Sequence, residues 1–255
     1  MLSIVKTFLM SLALANAGWI FNPSIKLSSG KTISVVGKGP PLLFSTGLFG
    51  TMPRFFYSEF VNILKRNATV ITSDGPSPIV KSDIDDIVNA LRVDNIAYLS
   101  HSSFFPDVLD SEYLNSAVLL DPINIPGVSF SGLQKFNIDL RMPTLIVKAE
   151  KLYNGKKTLP EWQDPNFNGE IEEEVFLNVG HPDILDNNWA NIAKNIGLWE
   201  MADRETMNYK DWQFNSNSDI PKIREKYRKY IAERVLYFIN KCNQDTPVIS
   251  AEIVS

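Results

Sequence analysis

The chain is poor in the residues that build several common sites. One cysteine, Cys242, in 255 residues excludes an internal disulfide framework and any multi-cysteine metal site. Lysine and arginine number 25 against 29 aspartates and glutamates, for a net charge of −4. No segment carries a basic stripe, so nucleic acid is not expected as a partner. No glycine-rich phosphate loop follows the first predicted strand, which argues against a nucleotide binder. Apolar runs are short, and the longest, Thr7 to Ala15, cannot span a bilayer as a helix. Only two histidines occur, His101 and His181, so any imidazole chemistry must use one of them.

What is present is ordinary globular material, 44% hydrophobic and 21% charged, enough for one full core. The first 17 residues, ending Ala15-Asn16-Ala17 before Gly18, have the layout of a secretory signal peptide. A packed N-terminal helix is the alternative. A cleaved signal puts residues 18–255 on the secretory route, where Asn67-Ala68-Thr69 is a glycosylation acceptor; without cleavage the chain is cytoplasmic.

Beyond this segment, strand and helix patterns alternate. A hairpin is predicted around Ser28-Ser29-Gly30, and buried strands at "PLLFSTG", "TVITSD", "NIAYLS", "AVLLDP", "PTLIVKA" and "EEVFLNVG". Helical spacing marks residues 52–66, 79–92 with Ser82 as N-cap, a helix after "NIAYLS" ending near Asn115, one from about Pro182, and 223–241. The fold class is α/β, a mostly parallel sheet with helices on both faces. Residues 123–141 and 201–221 break the rhythm. The first of these is apolar enough for a lid or substrate wall carrying Phe130 and Phe136, and equally for a loop over the core.

Ligands of a parallel α/β sheet bind beyond the carboxyl ends of its strands. Ser102, Asp121 and His181 each end a different predicted strand, in the order serine, aspartate, histidine. Such a trio makes a nucleophile: the imidazole takes the serine proton, and the carboxylate fixes the imidazole's tautomer and stabilises its charged form. At the same edge "FSTGLFGT" forms a glycine-punctuated turn whose Leu48 amide, with that of Ser103, is a candidate oxyanion donor.

Three segments resemble the α/β-hydrolase superfamily, within it most closely the chlorophyllases and related esterases, over residues 25–241. They are "SHSS" against Gly-His-Ser-x-Gly, "LLDPIN" against a strand ending in Asp-Pro, and "VGHPDILD" against a Gly-His-x-Asp-x-Leu-Asp histidine loop. The closing helix is similar as well. Platelet-activating-factor acetylhydrolases share the early aspartate but match the histidine loop less well. The resemblance implies a serine carboxylic-ester hydrolase with Ser102, His181 and Asp121 as its triad and no metal or organic cofactor. The apolar segment 123–141 suggests a lipid-like or isoprenoid ester as substrate, and transient contact with a membrane surface is an accompanying expectation. Glu150 is the rival acid, standing where many other α/β-hydrolases keep theirs. Ser100 and Phe104 replace the two glycines that usually flank the serine, and Thr46 stands where many relatives have histidine. Those departures favour a second reading, an inactive α/β-hydrolase domain that binds an apolar ligand or a protein.

Overall fold

A computed structural model describes residues 24–75, 77–102, 106–122, 142–151, 171–190 and 220–244. The expected leader, the loop 123–141 with Phe130 and Phe136, residues 201–219, and Ser103 with Phe104 lie outside the described residues.

Eight strands form one sheet in the order β1-β2-β4-β3-β5-β6-β7-β8. β1 (Ser24–Lys26) and β2 (Thr32–Gly37) make the predicted hairpin, with Ile25 opposite Ile33. β2 runs antiparallel to β4 (Thr69–Ser73). From β4 through β3 (Pro41–Ser45), β5 (Ile96–His101), β6 (Leu114–Leu120), β7 (Thr144–Lys151) and β8 (Ile171–Gly180), every pairing is parallel. The central strands β3, β5 and β6 are nearly continuous apolar runs because both of their faces are covered.

Period two sorts each strand's side chains between two cores. Leu42, Phe44, Leu99, Val118 and Leu145 face α1 (Ser58–Leu64) and α3 (Ile220–Gln244). Leu43, Tyr98 and Leu119 face the side covered by α2 (Lys81–Leu91). The 52–66 prediction resolves into a 3-10 turn, Arg54–Tyr57, that leads into α1. At α2 the N-cap is Val80, not Ser82, which lies inside the helix. The Asp83 carboxylate caps the helix by accepting the Val80 amide at 2.9 Å while also holding Lys31 and Ser29 of the hairpin turn. Burial works to raise the Asp83 carboxyl, and the hydrogen bonds from Lys31, Ser29 and Val80 overcome it, leaving the group below the usual carboxylate range.

Of the helix expected to run from β5 to near Asn115, the described residues 106–115 form no α-helix. A 3-10 turn, Pro106–Asp110, stands in its place, and β6 has begun by Leu114. Asn115 lies inside β6 and donates to Asn95 at 2.8 Å and to Asn243 of α3 at 2.6 Å, which fixes the strand start where helix was expected. After β8 the chain makes another 3-10 turn, His181–Ile184. No described helix is long and apolar enough to cross a membrane.

Candidate functional site

The site is built at the carboxyl edge of the parallel strands. β5 closes at His101, and Ser102 breaks it with a φ of 67°. For an L-residue this left-handed backbone costs about 1–2 kcal/mol. The Ser102 amide still donates to the Leu120 carbonyl at 3.0 Å, so the reversal is tied to β6. Ser102 is buried, as is Ser100 before it. A serine on a sharp left-handed turn after a central parallel strand has the backbone geometry of a nucleophile elbow. With the strand order above, that turn decides the architecture. The fold is the α/β-hydrolase fold.

Asp121 follows β6 in the same way, buried, with a φ of 43°. Its amide donates to the Val147 carbonyl of β7 at 2.5 Å. His101 pairs with Leu120, and Leu120 pairs with Val147. Ser102 and Asp121 therefore stand side by side, one strand spacing apart, about 5 Å between backbones. Glu150 lies three positions beyond Val147 in β7, where the pairing with β8 shifts between Ala149 and Lys151. Its side chain lies outside the described residues. Gly180 pairs with Lys151, so His181 emerges one strand farther along the same edge. The side chain of His181 is likewise outside the described residues.

The turn that begins at His181 is heavily anchored. Asp183 accepts from Arg224 Nε of α3 at 2.8 Å, with both groups buried. Arg228 donates to the Leu185 carbonyl at 2.8 Å and pairs with Glu59. Asp186 accepts the Glu59 amide at 2.9 Å, and its own amide donates to the Phe56 carbonyl at 2.8 Å. Burial and the nearby Glu59 charge push the Asp186 carboxyl up to about 6, against the pull of Arg228 and of the Glu59 and Ser58 amides.

The glycine turn after β3 is a single helical turn, Gly47–Gly50. Thr46 is buried, and its hydroxyl donates to the Met52 carbonyl. Its own carbonyl accepts the Gly50 amide at 2.7 Å, and Gly50 has a φ of 78° that favours glycine. Leading amides of a helical turn have no acceptor within it, which suits a turn aimed at developing negative charge. The backbone of Leu48 sits in this turn; its side chain and all of Ser103 are outside the described residues.

One participant was not visible in the sequence. Tyr57, fully buried, accepts the Gly47 amide at 2.9 Å and lies 2.7 Å from His101 Nδ1. In "RFFYSEF" it is one aromatic among several at helical spacing, and no motif marks it. Among the described residues, no three His, Cys, Asp or Glu side chains group to hold a metal ion.

No protein-family model matches the chain, and no curated protein sequence matches it. Among solved structures, a proline iminopeptidase-related protein from Thermus thermophilus is similar at 14% identity, covering 69% of this chain and 95% of that one, with a TM-score of 0.45. An alpha/beta hydrolase from Sphaerobacter thermophilus is similar at 13% identity, covering 69% and 100%, with a TM-score of 0.43. An epoxide hydrolase from Vigna radiata is similar at 17% identity over 42% of this chain, with a TM-score of 0.32. This chain spans 41% of that epoxide hydrolase's length, and 43% of an alpha/beta hydrolase from Nostoc. The fold assignment rests on strand order and the Ser102 turn, and these likenesses attach no activity to it.

Proposed function

We propose that the protein is a serine carboxylic-ester hydrolase. Ser102 is the nucleophile, His181 the general base and Asp121 the carboxylate that orients it. The observation that carries the reading is the paired left-handed turns of Ser102 and Asp121 on adjacent strand ends. Strain of this kind at non-glycine positions concentrates at functional sites. The anchored turn that starts at His181, one strand beyond β7, and the glycine turn after β3 support it.

In the proposed reaction the Ser102 hydroxyl oxygen bonds to the ester carbonyl carbon while His181 takes the hydroxyl proton. The carbonyl oxygen becomes an oxyanion facing the Leu48 and Ser103 amides. The carbon–oxygen bond to the leaving alcohol then breaks, and His181 returns the proton to that alcohol. Water attacks the acyl-enzyme by the same route, releasing the acid and restoring Ser102. The substrate class, a lipid-like or isoprenoid ester, follows from the chlorophyllase-like motifs and the apolar segment that holds Phe130 and Phe136, and it is analogy.

The second reading, a binding domain without turnover, is favoured by the described residues nearest after Ser102, Pro106–Asp110, which form a 3-10 turn and not the α-helix whose dipole would assist the oxyanion. Labelling with a fluorophosphonate probe separates the two readings, with the adduct mapped by mass spectrometry against Ser102→Ala. An adduct on Ser102 supports hydrolysis. Folded protein that does not label makes the domain a binder.

A further inference from the structure

We propose that Tyr57 is a positioning residue, whose hydroxyl ties the glycine turn after β3 to His101 and so sets the gap between the Leu48 amide of that turn and Ser102. The proposal rests on the hydrolase reading above. The Gly47 amide can only donate, so the phenol oxygen accepts it at 2.9 Å, and in the proposed arrangement the phenol proton is given to His101 Nδ1, 2.7 Å away. That arrangement places the imidazole proton of His101 on Nε2, which is the state the test below reads. Burial raises the phenol well above its ordinary range, so Tyr57 keeps this proton throughout the neutral pH range.

The arrangement requires glycine at position 47. A Cβ there would sit 2.8 Å from the Tyr57 oxygen, closer than any real methyl group comes. The ring is wholly buried, with Phe44 packed edge-on at 5.2 Å between centroids and His101 at 5.6 Å. Tyr57 also belongs to a segment bound to the turn of His181. The Phe56 carbonyl accepts the Asp186 amide, the Glu59 amide donates to Asp186, and Trp189 lies against Phe56 at 4.2 Å. One stretch of chain thus touches the oxyanion turn, the strand that ends at the nucleophile and the turn of the general base. Two of those three contacts pass through the Tyr57 hydroxyl.

A purely structural tyrosine would affect stability and nothing else. The positioning role adds two readouts. With only two histidines in the chain, NMR of isotope-labelled histidine side chains shows two imidazoles, and His101→Gln identifies which is which. In the wild type His101 should be the Nε2–H tautomer, and in Tyr57→Phe it should lose that fixed state. The rate of fluorophosphonate labelling at Ser102 should fall about 10- to 100-fold in Tyr57→Phe, the scale of a displacement near 1 Å, while thermal unfolding stays cooperative. A folded Tyr57→Phe that labels at the wild-type rate overturns the proposal. Should that variant not fold, His101→Gln and His101→Leu carry the comparison. Gln retains an acceptor for the phenol proton and should label faster than Leu, and equal rates overturn the proposal. Wild-type protein that does not label overturns the hydrolase reading and this role together. Wild-type labelling with an unaffected Tyr57→Phe overturns this role alone.

Discussion

Ser102 and Asp121 end neighbouring parallel strands, and each does so in left-handed backbone, at φ 67° and 43°. Two such non-glycine turns side by side give the site its shape at a cost in stability, and the cost is measurable without any substrate.

Ser102→Gly and Ser102→Ala both remove the hydroxyl, but only glycine relaxes the left-handed backbone. Ser102→Gly should be more stable than Ser102→Ala by about 1 kcal/mol in urea unfolding. Equal midpoints at equal slope would mean that Ser102 is not strained.

The two candidate acids separate by labelling rate. Asp121 is held beside Ser102 by the Val147 carbonyl, whereas Glu150 lies farther along β7 where its pairing with β8 becomes irregular. Asp121→Asn keeps the shape but removes the charge that, in the proposed triad, steadies the imidazolium. It should slow fluorophosphonate labelling of Ser102 by roughly a thousandfold or more. Glu150→Gln should stay close to wild type, and the reverse ranking transfers the role to Glu150.

Most of the sheet could be read from sequence because buried parallel strands are continuous apolar runs with sharp ends. "PLLFSTG", "TVITSD" and "PTLIVKA" each yield a strand within a residue or two of the expected bounds. Residues 106–115 form no α-helix although apolar spacing continues across Pro106 and Asp110, because the start of β6 is set by Asn115 reaching two distant asparagines. Ser82 failed as a cap because a nearby carboxylate, Asp83, does two jobs, and one of them is a contact 52 residues away with Lys31. Such long-range partners leave no local pattern. The edge positions of Ser102, Asp121 and His181 follow from strand ends alone, whereas Tyr57 is defined only by what surrounds it in space.

Arg224 and Asp183 form a charged pair that is almost wholly out of water, 2.8 Å apart. Arg224→Met removes the guanidinium and leaves the Asp183 carboxylate buried without that donor. It should destabilise the protein by about 3–5 kcal/mol. Arg224→Met combined with Asp183→Leu should recover much of this loss, since the desolvation of both charges is removed together. A double variant as unstable as the single one would show that the pair is not what the turn depends on.

Asp186 gives the fold a pH dependence of unusual sign. Burial, then the Glu59 charge, hold its folded carboxyl at about 6, above the value near 4 expected of an unfolded aspartate. Between these values the native state binds more protons than the unfolded state. The contribution of this group to stability is therefore present at low pH and lost as pH rises through about 6. Asp186→Asn is permanently neutral and does not carry this dependence. Comparing urea midpoints at about pH 7.5 and about pH 4.5 isolates the effect, because carboxyls remote from position 186, such as Asp83 and Glu172, contribute equally in both proteins and cancel. The variant should compare best with wild type at the higher pH and lose ground at the lower one. A difference that does not change with pH would mean that Asp186 titrates as an ordinary surface carboxyl.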